Sequence, residues 1–172
     1  IAKSDVKNNF LRDSEAEISS IRGKIHNYEH ALVALKSFYD ASKFVDPDEF
    51  RTFVQPLMDE YSDLQVFEWV PLIEDSNRVS FEESLVEYGV NIGIKEKNSD
   101  GTVIKAKQRE VYYPVSYVYP LKGNEAALGY DLGSEQFRAD AIKKALNYNK
   151  QTASEVVTLI QGGKEPSKAV LI

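Results

Sequence analysis

Apolar residues step by three and four in alternation through Ile18, Ile21, Ile25, Tyr28, Leu32, Leu35 and Tyr39, which is the spacing of a heptad seam. From about residue 5 to 42 the chain has no Pro and a single Gly, Gly23, and Leu11 carries the seam backward past the polar Ser14. The pattern predicts one helix of roughly 35 to 40 residues, about 55 Å long at 1.5 Å per residue. Such a helix outruns a domain this small, so its seam calls for cover from its own domain at one end and from a partner's helix at the other. The interface predicted in this way is homodimeric and uses Ile18, Ile21, Ile25, Tyr28 and Leu32. The alternative is a helix packed along its own domain throughout, because three heptads are the lower limit for a coiled coil.

Past residue 45 the pattern shortens. Asp46-Pro47-Asp48-Glu49 begins a second helix, with Asp as cap, Pro at the first helical position and Glu completing a capping box. It runs to about Tyr61 and buries Phe50, Phe53, Val54 and Leu57. Leu64 to Val70 alternates loosely as a strand ended by Pro71. Ser80-Phe81-Glu82-Glu83 reads as a second capping box, opening a short helix that stops at Tyr88-Gly89 with Gly in the left-handed position. Val90 to Lys95 and Thr102 to Ala106 read as short strands around an Asn98-Ser99-Asp100-Gly101 turn.

The segment from Arg109 to Leu132 orders the rest. It holds five of the ten tyrosines and many β-branched residues, with Pro114, Pro120 and a turn at Gly123-Asn124, and it reads as two strands joined by a loop. Apolar side chains fall on both faces of the first strand: Val111, Tyr113, Val115, Tyr117 and Tyr119 on one, Tyr112, Pro114 and Val118 on the other. That requires cover on both sides and places this hairpin in the middle of a sheet. Ser134 caps a helix from Glu135 to about Tyr148 with Phe137, Ala141, Ile142 and Ala145 inward. Glu155 to Gln161 is a strand, Gly162-Gly163 a turn, and Lys168 to Ile172 the next strand. The fold class is α+β, an antiparallel sheet with flanking helices (45–172) carried on a long stalk helix (1–44).

Charge and chemistry narrow the function. A net charge of −6 and a pI near 5.1, with no basic stripe, argue against a nucleic-acid partner. The absence of cysteine leaves the redox compartment open. No apolar run reaches the ~18 residues of a membrane span, and the residues from Ile1 onward do not read as a signal peptide. Because the chain opens without Met and stops on Ala-Val-Leu-Ile, the expectation is an excised fragment with membrane segments flanking it. His26-Asn27-Tyr28-Glu29-His30 has the H-x-x-E-H form of a zinc peptidase. With Ile25 and Tyr28 in the seam, however, both imidazoles point away from it, and a catalytic zinc would still need a third protein ligand and a closed, dry cavity. Two solvated histidines are the reading here; no metal and no cofactor are expected. With neither a cysteine nucleophile nor a Gly-rich phosphate loop, the chain is not read as an enzyme.

Several pieces then fall into a familiar order: Trp69-Val-Pro71, Arg78 with Phe81-Glu82, Arg109-Glu-Val-Tyr-Tyr113-Pro114-Val115, Gly123-Asn-Glu-Ala-Ala-Leu-Gly-Tyr-Asp-Leu132, Arg138, Thr152-Ala153 and Gln161. From about residue 45 to 172 the chain resembles a CHASE domain, the extracytoplasmic sensor module of histidine kinases, nucleotide cyclases and plant cytokinin receptors. The Tyr-Tyr-Pro-Val and Gly-Asn-Glu-Ala-Ala-Leu-Gly-Tyr-Asp-Leu pieces carry most of the likeness. It implies a PAS-like fold on a dimerising stalk helix between two membrane spans, with a small-molecule pocket in the membrane-distal lobe. The aspartate that contacts the adenine ring in cytokinin receptors falls here on Pro120, which has no side-chain donor or acceptor, so an adenine-type ligand is not expected. A pocket threonine of those receptors falls near Ser154. The family's final strands lie beyond Ile172.

A ligand site in such a lobe needs aromatic walls and a few convergent polar groups. Trp69, Tyr112, Tyr117, Tyr119 and Tyr130 are the candidate walls, Arg109 and Asp131 the charge anchors and Ser154 a hydroxyl. Each has a second reading. The tyrosines can be core residues with hydroxyls at the rim, and Arg109 and Arg78 can pair with Glu110, Glu82 or Asp131 to hold loops. Asn124 and Gly129 read as turn and close-packing residues. The expected function is a ligand sensor in a transmembrane receptor, acting through the stalk helix. A purely structural dimerisation or protein-binding module is the alternative.

Overall fold

The computed structural model describes residues 2–61, 63–158 and 168–172, in two compact units, Ile1–Phe44 and Val45–Ile172. The first unit is built on one uninterrupted helix, α1 (Ala2–Ala41), about 60 Å long at 1.5 Å per residue. Along it Ile18, Ile21 and Ile25 are 50%, 49% and 43% exposed, and Tyr28 and Leu32 are half-buried. His26 and His30 are exposed, and their Nε2 atoms share a hydrogen bond of 3.0 Å, one ring donating to the other. Glu29 lies 3.8 Å from Nδ1 of His26, and among the described residues no group of three or more His, Cys, Asp or Glu is arranged to hold a metal.

The second unit opens with α2 (Pro47–Glu60), whose capping box is complete. The Glu49 N–H donates to the Asp46 carboxylate at 2.8 Å, and the Asp46 N–H donates to the Glu49 carboxylate at 3.1 Å. Phe50 and Val54 are buried, Phe53 and Leu57 half-buried, and the helix continues through Pro56. The strands are short: β1 (Phe67–Trp69), β2 (Ile73–Glu74), β3 (Lys95–Lys97), β4 (Val103–Lys105), β5 (Val111–Tyr112), β6 (Tyr117–Tyr119), β7 (Val157–Thr158) and β8 (Lys168–Ala169). Helices α3 (Arg78–Val86) and α4 (Gln136–Tyr148) flank them.

The predicted hairpin of 109–132 does not form. Its first limb pairs backward instead: β6 is antiparallel to β1 with Phe67 opposite Tyr119, and β5 is antiparallel to β2 with Ile73 opposite Tyr112. Between the Trp69↔Tyr117 and Ile73↔Tyr112 pairs, three residues (70–72) face four (113–116). The ladder is therefore interrupted between the two pairs, and residues 113 and 115 bond elsewhere. The second limb is not a strand but a chain of 3-10 turns, Glu125–Ala127 and Leu132–Ser134. Between those turns, 129–132 runs through the centre of the sheet. Val115 N–H donates to Tyr130 O, Leu132 N–H to Tyr113 O, Lys95 N–H to Gly129 O and Asp131 N–H to Lys95 O, at 2.9 to 3.0 Å. Isolated bridges at Pro114↔Asp131 and Lys95↔Tyr130 mark the same path. The strands thus form two-stranded pairs, β1–β6, β2–β5, β3–β4 and β7–β8, and residues 129–132 link the β5/β6 segment to β3 through these bonds.

Gly129 makes this crossing possible. At φ +75° its missing Cβ would stand 2.9 Å from Gly93 O and 3.2 Å from both Leu85 Cδ1 and Val90 Cγ1, so the backbone approach admits no side chain. The main core lies here, with Leu85, Val90, Val115, Val118, Leu128, Tyr130 and Leu132 buried together.

Three further expectations are corrected. Ser80 is inside α3 rather than its cap, because the 3-10 turn Asp75–Asn77 runs directly into the helix and Asn77, in the N-cap place, is already helical with no side-chain cap bond. Ser134 does not cap α4; it closes a 3-10 turn and donates to Asp131 O at 2.6 Å, leaving Glu135 in the N-cap place without a side-chain cap bond. In α4 Phe137 is 52% exposed while Arg138 is 3% exposed, because Arg138 donates to the Glu135 carboxylate and to Thr158 O, both at 3.0 Å. The strands predicted at 64–70 and 102–106 shorten to β1 and β4, the one predicted at 90–95 shares only Lys95 with β3, and of 155–161 Val157–Thr158 forms β7 while 159–161 lie outside the described residues. The Gly162-Gly163 turn lies outside the described residues.

Candidate functional site

Two constellations in the second unit bring functional side chains together. The first is a groove of about 260 Å³ between the N-terminal half of α2 and β6. Phe50, Tyr88, Tyr117, Tyr119 and Leu121 are among its lining residues, with Asp48, Arg51 and Ser116 as polar ones. Helix spacing brings Phe50 onto the same side as the capped first turn, where its ring centroid stands 5.8 Å from that of Tyr117. The Tyr117 hydroxyl donates to Val45 O at 3.1 Å, so the phenol is anchored at one end and offers its ring to the groove. Burial raises the Tyr117 pKa, helped by the fields of Tyr88 and Asp46. Tyr88 is shifted the same way by burial and then by Glu87, Asp46 and Asp48.

The second constellation is a charged brace across the sheet. Arg109 reaches both Glu96, 3% exposed, and Asp131, fully buried, the latter at 3.2 Å. Asp131 also accepts from the Tyr113 and Gly133 N–H groups, each at 2.9 Å. Burial pushes its carboxyl above the ordinary range, and those two N–H donors and Arg109 act against that push. Beside it Arg78 donates to Glu82 at 2.7 Å, to the Tyr112 hydroxyl at 2.8 Å and to Ala106 O at 2.9 Å. The Tyr112 hydroxyl in turn donates to Asp75 at 2.9 Å and accepts from the Arg109 N–H at 2.8 Å. Burial alone would lower the Arg78 pKa, but the bonds to Glu82 and Tyr112 outweigh it and hold the guanidinium above its usual value. Every charged head here is met by an opposite charge, a hydroxyl or a backbone group, so the brace locks strands and loops together.

The residues singled out from sequence divide between these places. Tyr117 and Tyr119 line the groove. Arg109, Tyr112 and Asp131 meet in the brace, with Tyr112 fully buried. Tyr130 is fully buried in the main core, its hydroxyl donating to Glu135 at 2.5 Å; burial, then that hydrogen bond, raises its pKa. Trp69 sits opposite Tyr117 in the β1–β6 register but is not part of the groove wall. Ser154 accepts from the Leu171 N–H at 3.0 Å and donates to Glu155 O at 2.6 Å, tying two chain segments together.

Sequence reasoning missed Phe50, Tyr88 and Leu121 as groove residues, and Glu96 as the buried partner of Arg109. Phe50 looked like ordinary helix core and Tyr88 like part of a helix stop. Glu96 lies just past the strand predicted to end at Lys95, between two lysines; the one available signal was that Arg109 needed a carboxylate.

Comparison with known proteins places the chain in a family. Over 155 residues, 90% of the chain, it is 21% identical to hybrid signal transduction histidine kinase A of Dictyostelium discoideum, of whose length it spans 7%. Among the described residues no helix is long and apolar enough to cross a membrane. Residues 43–172, which include the groove, the brace and the sheet that carries them, match the CHASE domain, and the chain belongs to that family of signalling-receptor sensor domains.

Proposed function

We propose that this chain is the extracytoplasmic ligand-sensing part of a transmembrane receptor with a histidine kinase or nucleotide cyclase output. A small molecule binds in the groove between α2 and β6, and α1 pairs with the α1 of a second copy to carry the signal. The observation that carries the reading is the groove itself, a concave site walled by four aromatic rings with a few polar groups at its edge, which is the composition of small-molecule sites. Its volume of about 260 Å³ suits a ligand smaller than a typical drug, since such sites run to ~300–1,000 Å³. The row of exposed isoleucines on α1 supports pairing of the stalk. A ligand shifts two stalk packings only by its differential affinity for them, and a swing from 1:99 to 99:1 takes ~5.5 kcal/mol. In this reading the chain itself performs no catalysis.

The test is a thermal-shift screen of the chain against amino acids, carboxylates, amines, nucleobases and short peptides, repeated on Leu121→Trp. Leu121 is 49% exposed, so the larger ring enters the groove without disturbing the core. One class should raise the melting temperature in a concentration-dependent way, because ligand at 100 times its dissociation constant adds ~2.7 kcal/mol, and the rise should vanish in the variant. No rise with any class would reject the small-molecule reading in favour of a dimerisation or protein-binding module.

A further inference from the structure

The groove's charge and its aromatic walls, taken together, point to one ligand class. We propose that it selects a small organic cation, an alkylammonium or quaternary ammonium group, held against the rings of Phe50, Tyr88, Tyr117 and Tyr119. This rests on the reading above that the groove takes a small molecule.

The observations are of two kinds. Four aromatic rings line a site of about 260 Å³, and aromatic faces attract cations through the ring quadrupole. Because the Tyr117 hydroxyl is already committed to Val45 O, what that residue presents is its ring. The surrounding charge is also negative: Asp46, Asp48 and Glu87 act on the phenols of Tyr88 and Tyr117. Arg51, the cation at the groove, is 3.1 Å from Asp48 and largely offset by it. Lys122, next to Leu121 in the chain, lies in the field of Glu125.

The start of α2 would ordinarily favour an anion. Here the donors on either side of Asp48 are removed or occupied, and the Asp48 N–H belongs to a residue with a carboxylate of its own. Pro47 has no N–H, the Glu49 N–H is taken by the Asp46 carboxylate, and the Asp46 N–H is taken by Glu49. With Asp48 set against Arg51, Asp46 and Glu87 leave the field at the groove negative, which disfavours an anion. A neutral apolar ligand would gain contact with the rings but nothing from the charge.

The experiment is calorimetric titration of the 172-residue chain with three isosteres: choline (cation), 3,3-dimethylbutan-1-ol (neutral) and 3,3-dimethylbutyrate (anion). Choline should bind at least about tenfold more tightly than the alcohol, equivalent to ~1.4 kcal/mol, and the anion should be weakest. Tyr88→Phe should keep choline affinity within about twofold and Tyr88→Leu should lose about fivefold or more, within the range of one cation–π contact. Tyr88 is 43% exposed, so neither change threatens folding. Equal binding of choline and the alcohol, or equal affinities of the Phe and Leu variants, would overturn the cation while leaving a small-molecule groove. If choline does not bind but another class gives a shift abolished by Leu121→Trp, the cation inference alone fails. If no class gives such a shift, both readings fail.

Discussion

Arg109 is the point at which the sheet is most exposed to a single substitution. It faces two carboxylates, Glu96 at 3% exposure and Asp131 at 0%, and Arg109→Met keeps the stem while removing the charge. Removing one partner of a buried ion pair costs ~3–5 kcal/mol, because a buried charge is left uncompensated. Arg109 is itself 30% exposed, so water partly replaces it and the lower end, about 3 kcal/mol, applies. For a domain of this size that is a fall of roughly 10 °C in melting temperature. The loss should depend on pH. Asp131 already sits above the ordinary carboxylate range through burial, and without Arg109 it moves further up. A carboxyl whose folded pKa exceeds its unfolded one favours folding at low pH and loses that contribution as pH rises through the folded value. The deficit against the parent chain should therefore be full at about pH 7.5 and shrink at about pH 5. Urea melts followed by circular dichroism at both pH values measure it, and adding Glu96→Gln and Asp131→Asn to the variant should return about 2 kcal/mol at neutral pH. A loss under about 1 kcal/mol, or one of the same size at both pH values, would refute the view of Arg109 as the counter-charge of this brace.

Three further outcomes follow from named contacts. Asp46→Ala removes the acceptor of the Glu49 N–H and should cost about 1 kcal/mol, whereas Asp46→Asn should cost only a few tenths; equal losses in thermal melts would contradict the capping assignment. Gly129→Ala meets Gly93 O at 2.9 Å, while Gly89→Ala, at a similar φ of +78°, meets nothing within 4 Å. The second should cost about 1–2 kcal/mol from the left-handed backbone alone and the first clearly more, so denaturant melts of the pair separate backbone strain from collision. Ile21→Asp or Ile25→Asp should abolish dimers of the chain, and light scattering that finds a dimer of unchanged mass in these variants would reject the α1 seam.

What the sequence by itself determined was whatever depends on neighbours three or four residues apart. A seam without proline specifies α1, and Asp46-Pro47-Asp48-Glu49 sets the start of α2 through two hydrogen bonds inside four residues. Gly89 at φ +78° follows α3, and Asn98 to Gly101 turns between β3 and β4, with the Gly101 N–H donating to Asn98 O at 3.0 Å. Each of these is settled by local backbone chemistry.

The tertiary structure decided which strands meet. The 111–119 segment has side chains suited to either neighbour, and it pairs with 67–74 on one side while 113 and 115 bond to 129–132 on the other. That choice separates the candidate residues, sending Tyr117 and Tyr119 to the groove, Arg109 and Asp131 to the brace, and Tyr130 to the core. It also buries Glu96, and a separate long-range contact, from Arg138 to Thr158 O, helps turn α4 so that Phe137 faces out. Strand side chains alternate with a period of two, so pairing and register are fixed by what the whole sheet buries on each face, a sum over contacts distant in sequence that no local pattern contains.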